Sequence, residues 1–176
     1  MIRPADPERD AAACAAIYRP YVESTAISLE EAPPTEAEFA ERIAATTECY
    51  PWLVAEDERG AVEGFAYAST HNARSAYRWT VDVGVYVDGG RLRRGTGRRL
   101  YLALFELLRA QGYHVACAGV GLPNDASIGM HEALGFERVG VYRRVGWKLG
   151  AWRDVMWLQL ELLPAGDGPP SEPRRP

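Results

Sequence analysis

The most regular alternation in the chain lies at Trp79 to Val87, where Val81, Val83, Val85 and Val87 are separated by Asp82, Gly84 and Tyr86, with Thr80 before them. A period of two places the valines on one face of a strand and Asp82 on the other, so a carboxylate is aimed at whatever that second face borders. Further on the period changes. Leu100, Ala103, Leu104, Leu107 and Leu108 recur at i, i+3, i+4, i+7 and i+8, which predicts an amphipathic helix, and Gly112 is placed to end it. Upstream, Ile2 and Arg3 form a short first strand. Asp6 as N-cap and Pro7 at the first helical position then open a helix to about Val22, with Ile17 and Tyr21 four apart. Pro33-Pro34 interrupts regular structure, and Thr35-Glu36-Ala37-Glu38 is a capping box for a helix bearing Phe39 and Ile43. Trp52–Ala55 and Glu63–Tyr67 flank the turn-forming Asp57-Glu58-Arg59-Gly60, an antiparallel hairpin. Beyond Gly112 the pattern predicts a buried strand at Val115–Val120, a turn at Gly121-Leu122-Pro123, a helix capped by Asn124 that reaches Leu134, and strands near 137–145 and 155–162. Strands and helices alternate without the strict repetition of a doubly wound fold, so the expectation is an α/β (α+β) domain, a mixed sheet with helices on both faces.

The chain has 176 residues, 47% of them apolar, enough for one domain with a sizeable core. Pro164 to Pro176 holds five of the twelve prolines and almost nothing to bury, so residues 1–163 are read as the domain and 164–176 as a disordered tail. No stretch approaches the roughly 20 apolar residues of a membrane span, and the first residues lack the apolar block of a signal peptide, which points to the cytoplasm and away from a membrane. Cys14, Cys49 and Cys117 show no metal-ligand spacing and no disulfide framework, so no metal is expected and the thiols read as small apolar side chains. With 20 basic against 24 acidic residues, the net charge of −4 argues against a nucleic-acid partner. One local exception stands out: Arg91 to Arg99 carries five arginines in nine residues, suited to a small ligand with several phosphates or to a solvated basic loop.

That basic run sits between a strand and a helix. Backbone N–H groups around Arg94-Gly95-Thr96-Gly97, with the positive end of the following helix, could cradle a pyrophosphate, or form a tight turn with no ligand. Neither G-x-x-x-x-G-K-[ST] nor G-x-G-x-x-G is present. Several further blocks occur in order: Tyr50-Pro51-Trp52-Leu53-Val54-Ala55-Glu56, Ala73-Arg74-Ser75-Ala76-Tyr77-Arg78-Trp79-Thr80, Arg93 to Gly97, Gly121-Leu122-Pro123-Asn124-Asp125, Met130-His131-Glu132-Ala133-Leu134-Gly135-Phe136, and Gly146-Trp147-Lys148 with Trp152-Arg153-Asp154. In these blocks the chain resembles the GNAT superfamily of acetyl-CoA-dependent N-acetyltransferases, and within it the phosphinothricin N-acetyltransferase family, over nearly the whole domain.

The resemblance implies a GNAT fold, acetyl-CoA as co-substrate, and direct acetyl transfer in a ternary complex to the α-amine of L-phosphinothricin or a related small amino acid. Methionine sulfone or sulfoximine is the alternative acceptor, and a protein amine or a non-catalytic acyl-CoA-binding module are rival readings. It implies that main-chain groups of Val85, Tyr86 and Val87 pair with the pantetheine arm like an added strand, and that Arg93, Arg94, Gly95, Thr96, Gly97 and Arg98 hold the pyrophosphate. Asn124 would touch the same arm, and Asn124, Ser127 and His131 would share one helix face toward the thioester. Asp82 is the implied general base, acting directly or through a water, with the N–H of Val85 or Val87 meeting the oxyanion. His131 would serve as general acid or pack structurally. Arg74 would bind the acceptor carboxylate or make a loop salt bridge, Tyr77 would stand beside it, and Leu29 would be an apolar lid or a core contact. The sequence departs from the family at three places. Asp82 replaces a glutamate, and Leu92 replaces a Gln or Arg, with Arg91 and Arg93 able to supply the donor. Asn72 replaces a lysine, which suits a neutral acceptor side chain such as a sulfone. His71 and His114 read as surface loop residues, and Trp52, Trp147, Trp152 and Trp157 as core or interface aromatics. The C-terminal strands are those through which the family forms homodimers.

Overall fold

The structure, a computed structural model, describes residues 1–166 and 168–176. One sheet of seven strands carries the fold: β1 (Ile2–Pro4), β2 (Trp52–Glu56), β3 (Val62–Thr70), β4 (Thr80–Val87), β5 (Val115–Gly121), β6 (Glu137–Lys148) and β7 (Ala151–Glu161), in the order β1-β2-β3-β4-β5-β7-β6. Every neighbouring pair is antiparallel except β4 and β5. The helices are α1 (Pro7–Ser24), α2 (Glu36–Thr47), α3 (Thr96–Gln111) and α4 (Asp125–Ala133). The mixed, mostly antiparallel sheet with helices on both faces is therefore as expected.

Local chemistry sets the helix starts. Asp6 accepts from the N–H groups of Glu8 and Arg9, and Thr35 with Glu38 forms the reciprocal capping box. α1 continues to Ser24 with Pro20 inside it, on its exposed side, where the missing N–H forfeits one helical hydrogen bond. In α3 the buried stripe is Leu100, Tyr101, Leu104, Phe105 and Leu108; Leu107, expected in it, lies on the exposed rim. β6 and β7 are longer than the pattern predicts. They form one hairpin whose turn residues Leu149 and Gly150 both have positive φ (51° and 72°), the geometry whose twist matches paired strands.

Two cores result. Val81, Val83, Ala116 and Ala118 pack against α3 on one face, and Trp52, Val54 and Phe65 pack beneath α1 and α2 on the other. The decisive irregularity lies between them. β4 pairs with β5 only from Thr80 to Asp82, opposite Val115 to Cys117, although β4 stays bonded to β3 as far as Val87 and β5 to β7 as far as Gly121. Beyond Asp82 the two strands part.

Among the described residues no helix or strand follows Glu161, and no helix is long and apolar enough to cross a membrane. The C-terminal segment runs back over the domain: the Trp79 indole donates to the Ser171 carbonyl at 2.8 Å, Arg78 pairs with Glu172 at 2.8 Å, and Gln111 bonds the main chain of Arg174. Asp167, within the segment read as a tail, lies outside the described residues.

Candidate active site

The parting of β4 from β5 leaves polar main chain without a strand partner. Asp88 donates to Glu63 across β3, so in this antiparallel register the even-numbered residues of β4 bond to β3. Val83, Val85 and Val87 consequently turn their N–H and C=O groups toward the gap. Tyr86 does not, and the expectation of three successive main-chain partners narrows accordingly. The Val87 carbonyl is already taken by the Tyr21 hydroxyl at 2.5 Å. At Val85 and Val87 the groups left for an extended ligand are the N–H and C=O of Val85 and the N–H of Val87.

A groove of about 490 Å³ begins at these residues and continues to the N-terminus of α3, lined by Tyr86, Leu92, Arg93, Gly95, Thr96, Gly97 and Arg98 on one side and by Asn124, Ser127 and Met130 on the other. Gly95 has φ 76°, which suits glycine, and a Cβ on Gly97 would come within 3.3 Å of the Met130 sulfur. Both glycines thus keep the helix N-terminus accessible. Arg93, Arg94 and Arg98 are exposed and make no ion pair among the described residues. Arg91 behaves differently: its guanidinium is held by Asp57 and Glu63, each at 2.8 Å, so it braces the loop and does not replace the donor missing at Leu92.

Between the parted strands lies a narrow cavity of about 60 Å³, walled by Val83, Gly84, Val85, Ala118, Gly119, Tyr101, Asn124, Ser127 and His131. The Asn124 side chain caps α4 through the Ser127 N–H. His131 is 2% exposed. Its Nδ1 lies 2.7 Å from the Ser127 carbonyl, which can only accept, so Nδ1 carries the proton. Burial pushes the imidazole pKa down, partly offset by that carbonyl, and the neutral ring then presents Nε2 as an acceptor to the Tyr101 hydroxyl at 3.2 Å. In this state His131 has no proton to release toward the cavity. Its geometry matches the packing role better than that of a general acid, and Tyr101 is the polar group the sequence pattern hid among core positions.

The opposite face carries the carboxylate. Val81 and Val83 face α3, so Asp82 projects to the side of α1 and α2, in register with Ser69 and Cys117. His71, expected as a surface loop residue, places Nδ1 2.6 Å from Asp82 Oδ1. Burial pushes the Asp82 carboxyl above its ordinary value, against the pull of His71. Burial and the nearby Asp82 together push the Cys117 thiol up to about 11, so it stays protonated. The donor atoms of His71, Asp82 and Cys117 lie within 4.8 Å of one another, the sole such trio among the described residues. Within the trio His71 and Asp82 are hydrogen-bonded to each other, and Cys117 stands beside them as a thiol.

The surroundings fit an acceptor. The Tyr77 and Trp157 rings lie 5.9 and 6.1 Å from that of His71. Arg74 is exposed and makes no ion pair among the described residues, while the Asn72 carboxamide accepts from its main-chain N–H and fixes the loop. Leu29 is 37% exposed and rests on Gly146, where a Cβ would come within 2.9 Å of it. The segment that carries Leu29 crosses Gly121, where a Cβ would strike the Ala26 carbonyl. Trp52 is buried, whereas Trp147 and Trp152 are exposed and meet edge to face.

Comparison with known proteins agrees with this geometry. A family model described as an acetyltransferase (GNAT) domain matches residues 4–157. The phosphinothricin N-acetyltransferase of Streptomyces viridochromogenes is 42% identical over 176 residues, covering 99% of this chain and 93% of that protein. An L-methionine sulfoximine/L-methionine sulfone acetyltransferase of Pseudomonas paraeruginosa is 42% identical over 120 residues, 68% of this chain and 70% of that one. Among solved structures, a GNAT superfamily phosphinothricin acetyltransferase from Sinorhizobium meliloti in complex with AcCoA superposes with a TM-score of 0.92 at 37% identity, covering 98% of this chain and 93% of that one.

Proposed function

The chain belongs to the GNAT family of N-acetyltransferases, and from that premise we propose that it moves the acetyl group of acetyl-CoA to the α-amine of a small free amino acid of the phosphinothricin type. The observation that carries this reading is the parting of β4 and β5, with unpaired main chain and a basic groove on one side and the half-buried Asp82 on the other.

Each group has a role in that reaction. Exposed Arg93, Arg94 and Arg98, with the α3 N-terminus, suit the pyrophosphate of acetyl-CoA, and the free groups of Val85 and Val87 suit the amides of its pantetheine arm. The thioester carbonyl would then lie in the gap, where a strand N–H stabilises the oxyanion. Arg74 takes the acceptor carboxylate, Tyr77 stands beside it, and Leu29 covers it. The base centred on Asp82 removes a proton from the acceptor ammonium. The amine nitrogen then bonds to the acetyl carbon, the C–S bond breaks with its electron pair on sulfur, and the second amine proton passes to that thiolate, so that the products are the acetamide and CoA thiol. His131 orients Tyr101 beside the departing sulfur.

A neutral acceptor side chain is the second reading, since Asn72 brings no charge and its side chain is engaged with Arg74. Thiol release from acetyl-CoA with L-phosphinothricin and L-methionine sulfone, side by side at equal concentration, decides between them. No release with either would reject both. The exposed β6–β7 face makes a homodimer part of the proposal, with residues 1–163 as the catalytic domain and the cytoplasm as its compartment.

A further inference from the structure

Asp82 does not stand alone, and its partner changes what the base is. The His71 ring is held on one side by the 2.6 Å contact between Nδ1 and Asp82 Oδ1. Its other nitrogen, Nε2, has no hydrogen-bond partner among the described residues, although the side chain is 26% exposed. An ionised carboxylate accepts from Nδ1–H and so fixes the tautomer in which Nε2 holds the lone pair. The His71 ring lies beside those of Tyr77 and Trp157, 5.9 and 6.1 Å away, on the side of the sheet to which Asp82 projects.

We infer that the acceptor amine is deprotonated by the His71–Asp82 pair, with the proton coming to rest on Nε2 of His71 and Asp82 holding the resulting imidazolium. The inference rests on the reading of this face as the amine side. The step balances: the N–H bond of the ammonium breaks, an Nε2–H bond forms, and the neutral amine keeps the electron pair with which it attacks. The imidazole also spans the distance that an aspartate, one methylene shorter than glutamate, leaves open. Other ionisable groups facing the pair are Cys117 from β5, Tyr67 from β3 and Tyr77 from the β3–β4 connection; Trp157 from β7 is neutral. Burial pushes both the Cys117 thiol and the Tyr67 phenol upward, so neither competes for the proton.

Two substitutions separate a proton acceptor from a prop. His71→Asn keeps an N–H donor for Asp82 Oδ1 and has no basic nitrogen, whereas His71→Ala lacks both. Both variants are expected to lose about 100-fold in kcat, the ordinary scale for a general base. Acetyl-CoA affinity, measured by calorimetry on each variant, is expected to stay within about 3-fold of the unmodified protein and also reports folding. The acid limb of the kcat/KM profile should disappear in both variants. Added imidazoles should restore His71→Ala turnover in proportion to their basicity, which a structural role would not produce. Wild-type turnover and an unchanged pH profile in His71→Asn would overturn the inference. Asp82→Asn, run in parallel, distinguishes the two levels. Loss there with normal His71 variants sinks only the pair, and normal turnover in all three sinks the reading of the amine side itself.

Discussion

At Asp82 one carboxylate is half-buried and bonded to a ring, and that environment sets its chemistry. Burial, opposed by His71, raises its pKa, and in the proposed step the carboxylate orients the His71 ring that takes the ammonium proton. Asp82→Asn is expected to lower kcat by more than about 100-fold while calorimetry shows acetyl-CoA binding retained. His131 is predicted to act through packing. It is 2% exposed, bonded at both nitrogens and wedged between the Tyr101 and Phe136 rings, so His131→Ala should cost about 2–4 kcal/mol in urea unfolding and reduce kcat less than Asp82→Asn does. Its pKa is lowered by burial, so the stability tied to the neutral ring is present above the ordinary histidine value and lost as pH falls through the lowered one. The midpoint of unfolding should therefore begin to drop as pH falls below about 6.5, the ordinary histidine value, with a smaller drop in His131→Gln.

Elements differ in how openly the sequence announces them. β4 and α3 are legible because each keeps one strict period, and α2 because Thr35 and Glu38 close a capping box. The β6–β7 hairpin is less so. Register shifts at Arg138/Gly140 and Tyr142/Gly146 break its alternation, and most of β6 is exposed on both faces. The groove around Gly95 and Gly97 was visible as a strand, a basic glycine loop and a helix. The His71–Asp82 contact was not, because it depends on the register of β3 against β4 across a nine-residue connection from His71 to Trp79. Once Ser69 is set opposite Asp82, His71 becomes its diagonal neighbour on the same face. The segment from α1 to α2 is likewise fixed by contacts far away in sequence, above all where Ala26 crosses Gly121. Gly121→Ala must displace that backbone and Leu29 with it, so the KM for the amino acid should rise about 10-fold or more while the KM for acetyl-CoA changes little, as initial-rate kinetics would show.

Across the whole molecule, apolar exposure is concentrated in the C-terminal hairpin, where Val139, Tyr142, Val145, Trp147, Leu149 and Trp152 are each more than half exposed. A patch of this kind is suited to a contact surface. Light scattering is expected to give twice the 19.5 kDa of one chain, and Trp147→Glu with Trp152→Glu should return it to one. A mass of one chain for the unaltered protein would remove the homodimer from the proposal. The parted sheet also bears on descent. The groups proposed to hold the nucleotide lie around the α3 N-terminus, while Asp82 and His71 lie on the other face of the strands. Selection can therefore rewrite the acceptor wall one side chain at a time, as at Asn72, without disturbing the proposed grip on the nucleotide. New acceptor specificities can arise from such a scaffold by drift on a single surface.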